Sequence, residues 1–154
     1  MRVPFRIVLA ADHGGVALKA DLLRLLSGMG CDVRDLGTDS VDPVDYPDYG
    51  FAAAAAVRRG EADRAILLCK SGIGMAIAAN KSRGVRAAHV STVADARLSR
   101  RHNDANVLVM GAHEVPPRRA RSIVRAWLST PFEGGRHRRR LEKIRRFERA
   151  HWKE

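Results

Sequence analysis

Ala65-Ile66-Leu67-Leu68-Cys69-Lys70-Ser71-Gly72-Ile73-Gly74-Met75 is the stretch on which the reading turns. Ala65 to Leu68 form a continuous apolar run without alternation, as a strand buried on both faces requires. Glycines at 72 and 74 break the run, and a helical pattern follows from Met75 to Lys81. Strand, Gly-rich turn and helix in that order make half of a β-α-β unit.

The flanking sequence repeats the alternation. Ile7-Val8-Leu9-Ala10-Ala11 is a second apolar run, closed by Gly14-Gly15. Val16 to Met29 then carries Leu18, Leu22, Leu23 and Leu26 on one helical face, with Gly30 as its stop. Asp32–Leu36 predicts a strand, Gly37–Pro47 a loop, and the Ala-rich 52–59 segment a helix ended by Gly60. Val85–Val90 predicts another strand. Thr92 and Asp95 then have capping-box spacing for a helix to about Arg101. Val107–Met110 predicts the fifth strand, closed by Gly111. Pro116-Pro117 opens a helix to about Leu128, and a basic helix runs over about 135–152. The expectation is a three-layer α/β fold: a five-stranded parallel sheet, helices on both faces and a C-terminal helix, with 1–154 as a single domain. Such sheets bind ligands at the carboxyl ends of their strands.

The 154 residues suffice for one core without disulfides or metals. No apolar run approaches the ~20 residues that span a bilayer, and no targeting segment is read at the start. Two cysteines, Cys31 and Cys69, make no disulfide framework, so a reducing cytoplasm is expected. The net charge of +11 invites a nucleic-acid reading, but its location qualifies that. Residues 136–154 hold nine Lys/Arg against three Asp/Glu, a net of +6, so over half of the excess sits in the last helix. Such a tail binds anions of any size, from one phosphate to RNA. The absence of aromatic clusters argues against single-strand readout.

Three segments carry chemistry. In the first, a helix N-terminus follows Cys69-Lys70-Ser71-Gly72-Ile73-Gly74, so free N–H groups face the turn and would hold an oxyanion or phosphate. The same setting, with Lys70 adjacent, favours a thiolate that serves as nucleophile or proton-transfer base. The alternative is an inert buried cysteine beside a tight corner. In the second, Asp12-His13 ends the first strand, where Asp12 could equally cap the next helix. In the third, His102-Asn103-Asp104 ends a helix, where a cation is favoured for structural reasons alone. Cys31 reads as a small buried residue. The histidines show no metal-binding pairing, and the P-loop and dinucleotide glycine patterns are absent, so no metal or cofactor is expected. Arg136 and Arg140 share a helix face and suit phosphate oxygens. Leu141, Ile144 and Phe147 give that helix an apolar stripe for the body or a partner subunit. The alternative for the basic run is a solvated face.

Together, Ala11–Gly15, Asp45-Tyr46-Pro47, Cys69–Gly74 with Ala78–Lys81, Leu98–Asn106 and Phe132–His137 resemble the ribose-5-phosphate isomerase B family, which includes the galactose-6-phosphate isomerase subunits. The resemblance spans nearly the whole chain. It implies a Rossmann-like five-stranded sheet and a metal-free aldose–ketose isomerase of phosphorylated sugars. It implies a homodimer, often paired into a tetramer, with active sites shared between subunits. It casts Cys69 as the base, and Ser71 with the N–H groups of Gly72, Ile73 and Gly74 as the enediolate hole. His102, with Asp12 or Asp45, would open the sugar ring. His13, Arg136 and Arg140 would clamp the phosphate, and Tyr46 and Asn103 would touch substrate. Lys70 and His113 depart from the family, which usually has Gly and often Arg there, so a tetrose or hexose phosphate stays open beside ribose 5-phosphate. A non-catalytic relative binding RNA through its tail is the reading of a different class.

Overall fold

In the computed structural model, which describes residues 5–153, the expected alternation of strands and helices is present; residues 1–4 and 154 of the expected 1–154 domain lie outside the described residues. The strands are β1 (Arg6–Ala11), β2 (Asp32–Gly37), β3 (Arg64–Cys69), β4 (Ala87–His89) and β5 (Val107–Gly111). The helices are α1 (Val16–Gly28), α2 (Tyr46–Arg58), α3 (Ile73–Ala79), α4 (Val93–Asn103), α5 (Pro117–Ser129) and α6 (Arg136–His151), with a short 3-10 turn at His13–Gly15. All strand pairs are parallel, in the order β2-β1-β3-β5-β4.

The period of two sorts each strand between two cores. Ile7, Leu9, Ile66, Leu68, Leu108 and Met110 face one side, under Leu22 and Leu26 of α1 and Ile123 and Trp127 of α5. Val8, Ala10, Leu67, Cys69, Val107 and Val109 face the other, under Ala53 and Ala56 of α2 and Met75 and Ala79 of α3. The small alanines of α2 and α3 let those helices lie close to the sheet. The bulk of Trp127, fully buried, fills the opposite face.

Three boundaries differ from the sequence reading, each for a local reason. First, α2 begins at Tyr46, inside the expected loop and well before residue 52. Pro47 occupies its first turn, where the missing N–H costs nothing. Gly50 is a packing residue, since a Cβ there would lie 3.2 Å from the Ala78 Cβ. Second, β4 spans only Ala87–His89, not 85–90. The Asn106 Oδ1 takes the Arg86 N–H at 2.7 Å and the Asn80 Oδ1 takes the Ala87 N–H at 2.9 Å, so side-chain amides replace the ladder at its start. Third, α3 starts at Ile73, directly on the left-handed Gly72 (φ 83°), and ends at Ala79.

From β1 the chain crosses to β2 on one side, and from β2 it returns to β3 on the other. The carboxyl ends of β1 and β3 therefore flank the point where the winding reverses, which is where this architecture leaves a crevice.

Candidate active site

That crevice holds a cleft of about 210 Å³ lined by Asp12, His13, Tyr46, Cys69, Lys70, Ser71 and Gly74. Asp12 follows β1 and is buried. Its carboxylate accepts the Gly14 N–H at 2.9 Å and its own N–H donates to the Leu68 carbonyl at 3.1 Å, so it is tied to the following 3-10 turn and to β3. Gly15 is obligatory here, because a Cβ would lie 2.8 Å from that of Leu68. His13 Nδ1 accepts the Val44 N–H at 3.1 Å, which leaves Nε2 as the nitrogen that carries the proton in neutral His13. The same bond pulls in the segment that ends in Asp45 and Tyr46. The Tyr46 ring lies on Gly74, where a Cβ would be 2.5 Å from Cζ.

The turn at Cys69 is closed by its own groups. The Gly72 N–H donates to Cys69 Sγ at 3.1 Å, and the Ile73 N–H donates to Ser71 Oγ at 3.2 Å. The sequence reading grouped the N–H groups of residues 72 to 74 as donors to a ligand. Gly72 and Ile73 serve the turn, and the Gly74 N–H is the one with no acceptor among the described residues. The end of β5 is laced to the turn: Ala112 N–H donates to the Cys69 carbonyl at 2.8 Å and His113 N–H to that of Lys70 at 3.1 Å. The Lys70 stem packs over Gly14, filling the space a Cβ would take. His89, which sequence reasoning passed over, sits with Nε2 2.8 Å from where a Gly72 Cβ would be. Its place at the carboxyl end of β4 was the available signal.

The other expected residues lie elsewhere. α4 leads back from β4 to the start of β5, so His102 and Asn103, in its last turn, sit at the amino edge of the sheet. Cys69 pairs with Gly111 while Ala65 pairs with Val107, so the two edges are roughly 13 Å apart along the strands. Arg136 and Arg140, both exposed, are in the first turns of α6 beside this second group. His102 stacks on His137 at 4.2 Å between centroids and 14° between planes. His137 is buried, and its Nε2 has no hydrogen-bond partner among the described residues; Glu133 Oε1 lies 3.8 Å away. Burial, then the neighbouring His102 and Arg136, push the His137 imidazole below its ordinary value. His137 and Glu133 belong to the Phe132–His137 stretch but were given no role in the sequence reading, because nothing in their spacing ties them to His102.

His102, Glu133 and His137 bring ligand atoms within 4.8 Å of one another, a convergence that their spacing in the sequence did not reveal. The ring geometry does not fit a shared metal. A metal lies in the plane of each imidazole that binds it, and two nearly parallel stacked rings have no common in-plane point nearby. No helix among the described residues is long and apolar enough to cross a membrane.

Comparison with known proteins gives these positions a context. Residues 7–144 match the family model described as Ribose/Galactose Isomerase. Ribose-5-phosphate isomerase B of Escherichia coli is 45% identical over 139 residues, covering 90% of this chain and 93% of its own. The solved ribose-5-phosphate isomerase B of Clostridium thermocellum superposes with a TM-score of 0.93 at 44% identity, covering 95% of this chain and 99% of that one. That of Mycoplasma genitalium, solved with bound ribulose-5-phosphate, superposes with a TM-score of 0.91 at 40% identity over 94% of this chain and 96% of its own. The chain belongs to the ribose/galactose isomerase family and, like these relatives, is an enzyme of the aldose–ketose isomerase class.

Proposed function

We propose that this chain, acting throughout its length as one cytoplasmic domain, interconverts ribose 5-phosphate and ribulose 5-phosphate through an enediolate, with Cys69 as the base. The carrying observation is the cleft at the β1/β3 carboxyl ends, where one turn offers a thiol, the Ser71 hydroxyl and the Gly74 N–H. Isomerisation removes a weakly acidic C–H beside a carbonyl, so a base needs preorganised donors for the oxyanion that develops. Cys69 takes the proton from C2 of the open-chain aldose and returns it at C1. Ser71 and the Gly74 N–H hold the oxygens meanwhile. Asp12 and Tyr46 line the cleft against the sugar, with Asp45 at its edge, and His13 faces the phosphate.

The separation of the two groups by the depth of the sheet supports a site shared between two copies. His102, Asn103, Arg136 and Arg140 of one subunit would complete the cleft of the other. His102 opens the ring, and the two arginines clamp the phosphate with paired charged hydrogen bonds. The exposed Ile144 and Phe147 of α6 provide apolar surface for such an assembly.

A second reading, isomerisation of a tetrose or hexose phosphate, is favoured by one observation. Lys70 lines the cleft and His113 is anchored beside it, two positions where this chain departs from the family pattern. The test is direct. Pure protein without added metal is assayed on ribose 5-phosphate and a panel of four- and six-carbon aldose phosphates. Turnover fastest on ribose 5-phosphate is expected. Faster turnover of another sugar would select the second reading, and no turnover of any would defeat both.

A further inference from the structure

The packing beneath His102 contains a group that neither the fold nor phosphate binding requires. His137 comes from the first turn of α6 and lies flat under the His102 ring. It is 4% exposed. Its Nε2 meets no hydrogen-bond partner among the described residues, and such a buried orphan is unfavourable. A leucine or phenylalanine would fill the space without that penalty, so packing alone does not account for an imidazole. The support is also rigid. The Glu133 N–H donates to the Arg101 carbonyl at 3.1 Å, and the His137 N–H donates to that of Gly134 at 3.2 Å. The segment that delivers His137 is thus fastened to the residue before His102.

We infer that His137 is a positioning residue for ring opening: its flat ring fixes the plane of the His102 imidazole and supports His102 when it carries the proton. The inference rests on the isomerase reading and on His102 as the ring-opening group. Opening a cyclic hemiacetal requires a proton delivered to the ring oxygen while another leaves the anomeric hydroxyl. The imidazole must therefore face the sugar edge-on and gain charge transiently. An uncharged aromatic face beneath it favours that charge, as in cation–π contacts. A second charged ring would oppose it. Burial, together with His102 and Arg136, holds the His137 imidazole below its ordinary value. Glu133 is the acidic group within reach, and Arg136 and Arg140 are the cations. His137 itself never touches the substrate.

Two reactions separate this role from a merely structural one. Ribose 5-phosphate closes into a ring through O4 and needs opening. Ribulose 5-phosphate has its terminal oxygen phosphorylated and stays open. Uptake of solvent deuterium at C1 of ribulose 5-phosphate therefore reports enediolate formation without ring opening. Initial rates of both reactions are measured for the native protein, His102→Ala, His137→Ala, His137→Leu and His137→Phe. His137→Ala and His137→Leu are expected to slow ribose 5-phosphate turnover about tenfold or more, following His102→Ala, while deuterium uptake stays within about twofold. His137→Phe keeps a flat ring and is expected to recover most of the loss. Leucine guards against a cavity in the alanine variant, since it fills the site without a flat face. Equal loss in both reactions, no loss in either, or a phenylalanine variant as slow as leucine would overturn the positioning role. Ribose turnover unaffected in His102→Ala would overturn it too. A native protein lacking both reactions would instead defeat the isomerase reading itself.

Discussion

Cys69 and Gly72 are joined across their turn by a hydrogen bond from the Gly72 N–H to the cysteine sulfur, 3.1 Å long. The sulfur is thereby held at the mouth of the β1/β3 crevice, with the left-handed Gly72 supplying a backbone geometry that L side chains rarely adopt. Cys69→Ala removes the proposed base and leaves the ladder with β5 intact. Turnover of ribose 5-phosphate is expected to fall by about 10³-fold or more, with an unchanged far-ultraviolet circular dichroism spectrum. Retained turnover would assign the base elsewhere.

Gly111 tests how tightly that turn is set. A Cβ at 111 would lie 2.5 Å from the Ser71 carbonyl oxygen and 3.0 Å from that of Lys70. Both are backbone atoms tied into the turn, so the turn itself must shift. Gly111→Ala is expected to cost about 2 kcal/mol, lowering Tm by roughly 5 °C, and to reduce kcat. Thermal melts with parallel kinetics would check it.

Sharing of the site between subunits predicts complementation. Cys69→Ala and His102→Ala chains are each expected to be nearly inactive. Unfolded together and refolded as a mixture, they form mixed dimers in which one of the two sites has both groups native. Recovery of about a quarter of the native rate is expected for random pairing in a two-fold dimer. A mixture no more active than its components would place both groups in a single chain's site.

Arg136 and Arg140 stand one helical turn apart, exposed at the start of α6. Replacing either with Ala is expected to raise KM by about 10- to 100-fold, the loss of one charged hydrogen bond to phosphate, with a smaller change in kcat. Steady-state kinetics separate the two parameters. A pure kcat effect would remove the arginines from the phosphate clamp.

Lys19 gives a pH-dependent stability test away from the site. Its ammonium is buried and bonds Asp35 at 2.6 Å and Asp39 at 2.6 Å. Burial pulls its pKa down, but the two carboxylates outweigh that and hold it above its ordinary 10.5. A base raised on folding contributes stability that is fully present below its unfolded value and fades as pH rises through the folded one. Lys19→Met is therefore expected to lower the urea midpoint near neutral pH. The gap to the native protein should shrink progressively above pH 10.5. A gap independent of pH would show that packing, not charge, is what the lysine contributes.

Some expectations misread residues that act in two ways. Pro47 signals a loop in the sequence, yet it opens α2, and Gly50, left outside both the expected loop and the expected helix, lets α2 meet α3, because first-turn geometry and close helix approach need the same residues that turns use. Gly74 was placed in an anion-binding turn, and its lack of a side chain also admits the Tyr46 ring, a contact between segments that no local pattern encodes.

The apolar runs at 7–11, 65–68 and 107–110, and the glycines that end them, were by themselves enough to determine a parallel α/β sheet with chemistry at its carboxyl ends, because burial on both faces and chain reversal impose those patterns locally. Tertiary structure alone decided which candidate residues meet. It brings Asp12, His13, Tyr46 and Cys69 around one cleft and carries His102 and Arg136 to the far edge of the sheet. It also lays His137 beneath His102. Those placements depend on strand order and on the return direction of α4, which follow from how the whole chain packs and have no signature in any short segment.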